Sequence, residues 1–254
     1  MQKRSLSLLA SISLVLCLSA ASYAQNETST KTGAAAPANG TTATAITATT
    51  TPADLARAAL AAQGGDKFKN VTSMVLIGTV ELFAPNSTQS IPGKFVMVTA
   101  GDKMRIDIDA RPAVSFKNVY NGQQSYSSMP GVNLPPMSKF GPAVLAKFDQ
   151  PGYTVTALPD KKKQRAFRIA DPDGNATEFY VDATTGRVVT FLIPFNGYTF
   201  GTEIKKTKDL EGVLIPYNFT QRLEMPQGAF FAEYSVKEVK LNQPIGDDVF
   251  AIPN

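Results

Sequence analysis

From Thr72 onward, apolar and polar residues alternate with period two along most of the chain. That is the mark of strands whose two faces meet different surroundings. Lys103–Asp109 shows it most cleanly, with Met104, Ile106 and Ile108 on one face and Arg105, Asp107 and Asp109 on the other. The pattern predicts strands at Thr72–Phe83, Gly93–Thr99, Lys103–Asp109, Ser115–Tyr120, Gln124–Ser128 and Tyr153–Leu158. It continues through Arg165–Ala170, Thr177–Val181, Arg187–Ile193, Tyr198–Thr207, Leu214–Leu223 and Phe230–Leu241. Gly101-Asp102, Asp171-Pro172-Asp173-Gly174-Asn175 and Thr184-Thr185-Gly186 supply turn chemistry between neighbours. The fold class is therefore mainly β with a few helices. A long antiparallel meander of roughly ten or more strands is too wide to lie flat without curling.

Two stretches break the simple alternation. Val71–Phe83 and Arg187–Phe195 are apolar in both registers, so each needs apolar cover on both faces. Such cover comes from the core on one side and from lid segments or a greasy ligand on the other. Met129–Gln150 is rich in Pro and Gly, then carries a short helical stretch around Ala143–Phe148. It brings Met137, Phe140, Leu145 and Phe148 into what must partly be loop. Two readings stand: a crossover that plugs one barrel end, or a mobile lid over an apolar cavity.

One helix precedes the strands. Thr51 fits its N-cap, Pro52 its first position, and Asp54 favours the positive end of the helix dipole. Leu55, Ala59 and Leu60 make its apolar stripe, and Gly64-Gly65 stops it. Asp66–Asn70 adds a further turn.

Ahead of this helix the pattern changes twice. Lys3 and Arg4, the apolar run Leu6–Leu18, and the small residues Ser19–Ala24 have the three-part form of a secretory signal peptide cleaved after Ala24. The run is shorter than the ~20 apolar residues of a membrane-spanning helix. Lipid attachment at Cys17 is the lesser alternative, because bulky Leu16 stands where such signals carry a small residue. Residues 25–51 are almost entirely Thr, Ala, Ser, Asn and Gly, too polar to offset the entropy of ordering a chain. The organisation is thus a signal peptide at 1–24, a disordered linker at 25–51 and one exported folded domain at 52–254.

Composition narrows the chemistry. The chain of 254 residues has no His, no Trp and one Cys. Ser-His-Asp and Cys-His catalysis and His-ligated metals are excluded. Loss of the signal removes Cys17 along with Lys3 and Arg4, and takes the formal charge from +4 to +2. So small a charge argues against a nucleic-acid partner. The clusters Lys161-Lys162-Lys163 and Lys205-Lys206 with Lys208 leave peripheral contact with anionic headgroups open. Asp107 and Asp109 share a strand face and form the one carboxylate pair worth weighing as an acid and a base. Opposite an apolar face, solvated charges are the better reading. The Asp171–Asn175 segment fails calcium-loop spacing, since Gly174 and Glu178 fall at the wrong positions. No catalytic residue, metal or cofactor is expected.

Three segments carry a family resemblance. Ala58–Val71 leads through Gly64-Gly65 into Ser73–Val80, which ends in Gly78-Thr79-Val80. Phe179–Val189 contains Tyr180-Val181-Asp182 and Thr185-Gly186. The end, Leu241–Pro253, holds Asn242, Pro244, Asp247, Phe250 and Pro253 at their spacing. Together they resemble the LolA/LolB-like lipoprotein-carrier superfamily of outer-membrane lipoprotein-sorting proteins over about residues 52–254. The resemblance implies a curled, incomplete antiparallel barrel with helices and loops packed into its open side, and an apolar cavity for acyl chains between them.

The expectation is an exported, non-enzymatic binding protein for a lipid, a lipoprotein acyl group or another hydrophobic ligand. The alternative is an envelope protein-interaction or sensor module on the same fold, with a protein partner and no lipid. Met104, Ile106 and Ile108 are the candidate cavity wall, and Met137, Phe140, Leu145 and Phe148 the candidate lid.

Overall fold

The computed structural model describes residues 46–129, 134–225 and 228–253. The predicted signal peptide, Cys17 and most of the predicted linker lie outside the described residues.

Helix α1 (Pro52–Gln63) starts where its cap places it. Thr51 is extended, its hydroxyl accepts a hydrogen bond from the Asp54 N–H at 3.2 Å, and Pro52 opens the first turn. Leu55, Ala56, Ala59 and Leu60 form its buried stripe. Gly64 ends it at φ +124°, with its N–H on the Ala61 carbonyl at 3.1 Å. A Cβ at Gly64 would overlap the Gly212 carbonyl, so the stop also lets a distant turn approach. The short α2 (Asp66–Lys69) follows, and Lys69 Nζ reaches Asp149 Oδ2 at 2.6 Å. Ile46 already packs on the core ahead of the cap, and the Arg165 guanidinium donates to the carbonyls of Ala48 and Thr50.

Among the described residues twelve strands join one antiparallel sheet. They are β1 (Ser73–Phe83), β2 (Ser90–Ala100), β3 (Lys103–Ala110), β4 (Val114–Tyr120), β5 (Ser125–Ser127) and β6 (Thr154–Ala157). β7 (Gln164–Ala170), β8 (Ala176–Asp182), β9 (Val188–Phe195), β10 (Tyr198–Leu210), β11 (Val213–Met225) and β12 (Gly228–Leu241) complete it. The spatial order is β5-β4-β3-β2-β1-β12-β11-β10-β9-β8-β7-β6. The chain therefore runs two meanders rather than one, joined where β1 pairs with β12. That central place explains why Val71–Phe83 is apolar in both registers: β1 has a strand on each side and apolar packing on each face. β5 and β6 stay unpaired with each other at the two edges, which leaves the curled sheet an open half-barrel. The crossover between them carries a 3₁₀ turn (Met137–Lys139) and α3 (Pro142–Leu145).

Turn carboxylates fix the hairpins. Asp171 Oδ1 accepts from the N–H groups of Asp173 and Asn175 at 3.0 and 2.8 Å. Asp182 accepts from Thr185 and Thr184, and these bonds hold its carboxyl below its ordinary range.

Three clusters make the core. In the first, α1 and α3 lie on the concave face over β7–β9, burying Leu55, Leu60, Leu145, Phe167, Ile169, Phe179 and Phe191. Phe167 and Phe179 stack there at 5.3 Å. The second joins β1–β3 to β10–β12 through Leu76, Val80, Phe95, Phe219 and Tyr234. Tyr234 lies flat on Phe219 at 4.7 Å and edge-on to Phe95 at 4.9 Å. The third lies on the opposite face of β1–β5, where the C-terminal segment covers Val98 and Val119 with Phe250 and Ile252. Arg105, on that outer face of β3, ties the segment down by donating to the Val249 carbonyl at 2.9 Å.

Candidate ligand cavity

The helices fill the trough over β7–β9. Among the described residues none fills the concave face between β1–β4 and β10–β12, and a cavity of about 590 Å³ remains there. This lies within the ~300–1,000 Å³ usual for small-molecule sites. Met104, Ile106 and Ile108 of β3 point into it by strand parity, with Met97 of β2 and Phe116 of β4 beside them. Phe200 of β10, Leu223 of β11, and Phe230 and Tyr234 of β12 form the facing wall.

Exposure is graded along the cavity. At the floor, Met104 is 2 % and Ile193 1 % exposed, while at the mouth Met129 is 37 % and Phe230 40 % exposed. The floor is buried, and the mouth leaves apolar surface in water, which is unfavourable. Four of the seven methionines, Met97, Met104, Met129 and Met137, border this space. Their unbranched side chains are adaptable and polarisable.

Of the residues singled out from sequence, Met104, Ile106, Ile108 and Met137 stand on the cavity's edge. Phe140, Leu145 and Phe148 lie elsewhere, buried with α1 in the first cluster, and Phe140 meets Phe195 edge-on at 5.7 Å. The crossover thus gives Leu134, Pro135 and Met137 to the cavity and its helical part to the core. The β10–β12 wall was not singled out. Its signal was the alternation Phe219, Gln221, Leu223, which resembles any half-buried strand until its neighbours are known.

Among the described residues, Thr202, Gln221, Arg222 and Tyr234 are the cavity-bordering residues with polar side chains, and strand parity turns Arg222 away from Gln221 to the outer face. Arg222 is engaged twice, by Glu224 Oε1 at 3.0 Å and over the Phe231 ring at 5.2 Å. Two buried polar atoms nearby, Asn118 Nδ2 and Ser138 Oγ, have no partner, but neither residue borders the cavity.

The carboxylate pair faces the other way. Asp107 meets Arg105 at 2.6 Å, and Asp109 takes two hydrogen bonds from the Arg111 guanidinium at 2.6 and 2.8 Å. The Arg111 bonds hold the Asp109 carboxyl down at about 2, so it is ionised at neutral pH and has no proton to give. The basic clusters cover aromatic surface: Lys161 lies over Tyr180 at 4.3 Å and Lys208 over Tyr217 at 4.0 Å. Among the described residues no helix is long and apolar enough to cross a membrane.

No family model matches the chain, and no curated protein matches it. Solved structures do. The LolA superfamily protein NE2245 from Nitrosomonas europaea superposes with a TM-score of 0.52 at 12 % identity, covering 80 % of this chain and 98 % of that one. An outer membrane lipoprotein-sorting protein domain from Vibrio parahaemolyticus gives 0.48 at 14 % identity, over 77 % and 97 %. A DUF1329 family protein from Desulfovibrio piger gives 0.44 at 9 % identity, over 80 % and 98 %. The chain has a LolA-type fold, a twelve-stranded open half-barrel with its helices inside. Identities this low speak of architecture and leave function to the site.

Proposed function

We propose that this chain is an exported, non-enzymatic binding protein that holds a lipid, a lipoprotein acyl group or another hydrophobic ligand in the half-barrel cavity. The reading includes a signal peptide at 1–24, a linker at 25–51 and a periplasmic domain at 52–254. One observation carries it: the cavity of about 590 Å³ with a buried apolar floor and an exposed apolar mouth. A chain of about twelve methylenes transferred into such a space gains roughly 10 kcal/mol before ordering costs. Association and ordering take back ~4–15 kcal/mol, so affinity rests on how well the floor is filled. The carboxylate pair stands ion-paired on the outer face, which supports binding over catalysis. A sensor module needing no ligand would fill this space with its own side chains, and the open cavity favours the carrier reading over it.

The test is native mass spectrometry and organic extraction of the purified protein, followed by titration with the neutral fluorophore N-phenyl-1-naphthylamine. Co-purifying amphiphile and saturable fluorescence enhancement are expected. A protein that is empty as purified and binds no fluorophore overturns the proposal.

A further inference from the structure

We infer that the cavity prefers an amphiphile with a neutral hydrogen-bonding head, an ester or an amide, over the same chain ending in a free carboxylate, and that Thr202 and Gln221 set this preference. The inference rests on the reading of the cavity as a ligand site.

Thr202 on β10 and Gln221 on β11 are direct register partners. Strand parity turns both inward with Phe200, Phe219 and Leu223. Directly opposed residues of neighbouring antiparallel strands have Cβ atoms about 5 Å apart, so one head group can span both. On the far side Gln221 is paired with Ala232, whose small side chain leaves room above the amide.

No side-chain hydrogen bond to another described residue occupies either group. Thr202 is only 8 % exposed and lines the cavity beside its register partner Gln221. The Thr hydroxyl and the Gln amide each offer a donor and an acceptor. An ester carbonyl takes a bond from either, and an amide both takes and gives one. A plain hydrocarbon leaves both groups desolvated and unpaired, which is the penalised outcome.

The same wall disfavours an anion. Among the described residues bordering the cavity Arg222 is the cation, and it stands on the outer strand face, held by Glu224 and the Phe231 ring. A carboxylate drawn in to the level of Thr202 and Gln221 would leave water with no free counter-charge.

Displacement of N-phenyl-1-naphthylamine from the delipidated protein tests this with three competitors of equal chain length. They are 1-palmitoylglycerol, N-palmitoylglycinamide and palmitate at pH 8, where palmitate is ionised. At least one neutral head should displace the fluorophore about ten-fold more tightly than palmitate. The tighter of the two names an ester-type or an amide-type source. Thr202→Val with Gln221→Leu should weaken the neutral amphiphile and tighten the fluorophore, opposite signs that a folding defect cannot produce. Gln221→Lys supplies a cation and should reverse the preference toward palmitate, which keeps the test decisive if the double variant fails to fold. Palmitate binding as tightly as the neutral heads, or parallel changes in both probes for the apolar variants, overturns the inference and leaves the carrier reading intact. Absence of fluorophore binding to the unaltered chain overturns both.

Discussion

Gly78→Ala probes the joint that holds the half-barrel together. Gly78 lies in β1 beside the bulge where its register with β12 shifts between Ile77 and Gly78. The β1–β12 ladder is the one that fastens the two meanders to each other. A Cβ at Gly78 would overlap the Ser235 carbonyl oxygen and stand 2.8 Å from Phe95 Cε1. Neither neighbour can yield cheaply. Ser235 is backbone in a paired strand, and Phe95 is 1 % exposed with its ring against Tyr234. Overpacking of this kind costs ~1–3 kcal/mol, and a weakened ladder hydrogen bond adds about 1 kcal/mol. The expected loss is therefore ~2–4 kcal/mol, which lowers Tm by roughly 5–12 °C for a domain near 200 residues. Far-UV circular dichroism in urea and on heating measures it, since the chain has no Trp to report by fluorescence. Thr79→Ala, an exposed change one residue on, should cost under about 1 kcal/mol and serves as the control. A Gly78→Ala protein no less stable than this control would refute the steric argument.

Other consequences are equally open to measurement. Phe179→Ala removes a fully buried ring that stacks on Phe167, and should cost ~3–5 kcal/mol in the same denaturation assay; a loss under about 1 kcal/mol would contradict the packing described. Arg111 depresses the Asp109 carboxyl from 3.8 to about 2, so the stability this group contributes is present above pH 3.8 and is lost as pH falls toward 2. A carboxyl NMR titration should place its midpoint near 2, with Arg111→Ala restoring it toward 3.8, and a native midpoint already at 3.8 would contradict the pairing. Burial pushes the Tyr234 phenol well above its ordinary 10, so its contribution is complete below pH 10 and declines as pH rises beyond it. Ultraviolet titration should find one tyrosine resisting ionisation at about pH 11 while the fold persists, and Tyr234→Phe should abolish that component. Its survival in the variant would assign it elsewhere.

Much of the architecture was legible because it is local. Period-two alternation located each strand, although ends shifted: Gly93–Thr99 extends to Ser90–Ala100, and Leu214–Leu223 to Val213–Met225. The Thr51 cap, the Gly64 stop and the Asp171 and Asp182 turns act over a few residues and formed as expected. The β3 face was readable for the same reason, since Arg105 and Asp109 mark the opposite side. The facing wall was not. Phe200, Thr202 and Gln221 read as ordinary half-buried strand residues, and nothing in their spacing says that the trough above them stays unfilled.

Which residues share a strand face, where helix α1 begins and ends, and which catalytic chemistries the absence of histidine excludes can all be read along the chain. Those are properties of neighbouring residues and of composition. Three-dimensional packing is what pairs β1 with β12, seats α1 and α3 in one half of the trough while the described residues leave the other unfilled, and sets Thr202 opposite Gln221 on its wall. Pairing between segments more than a hundred residues apart in the chain is selected by the packing of whole faces against one another. A cavity is the space those faces fail to fill, and no short stretch of chain encodes it.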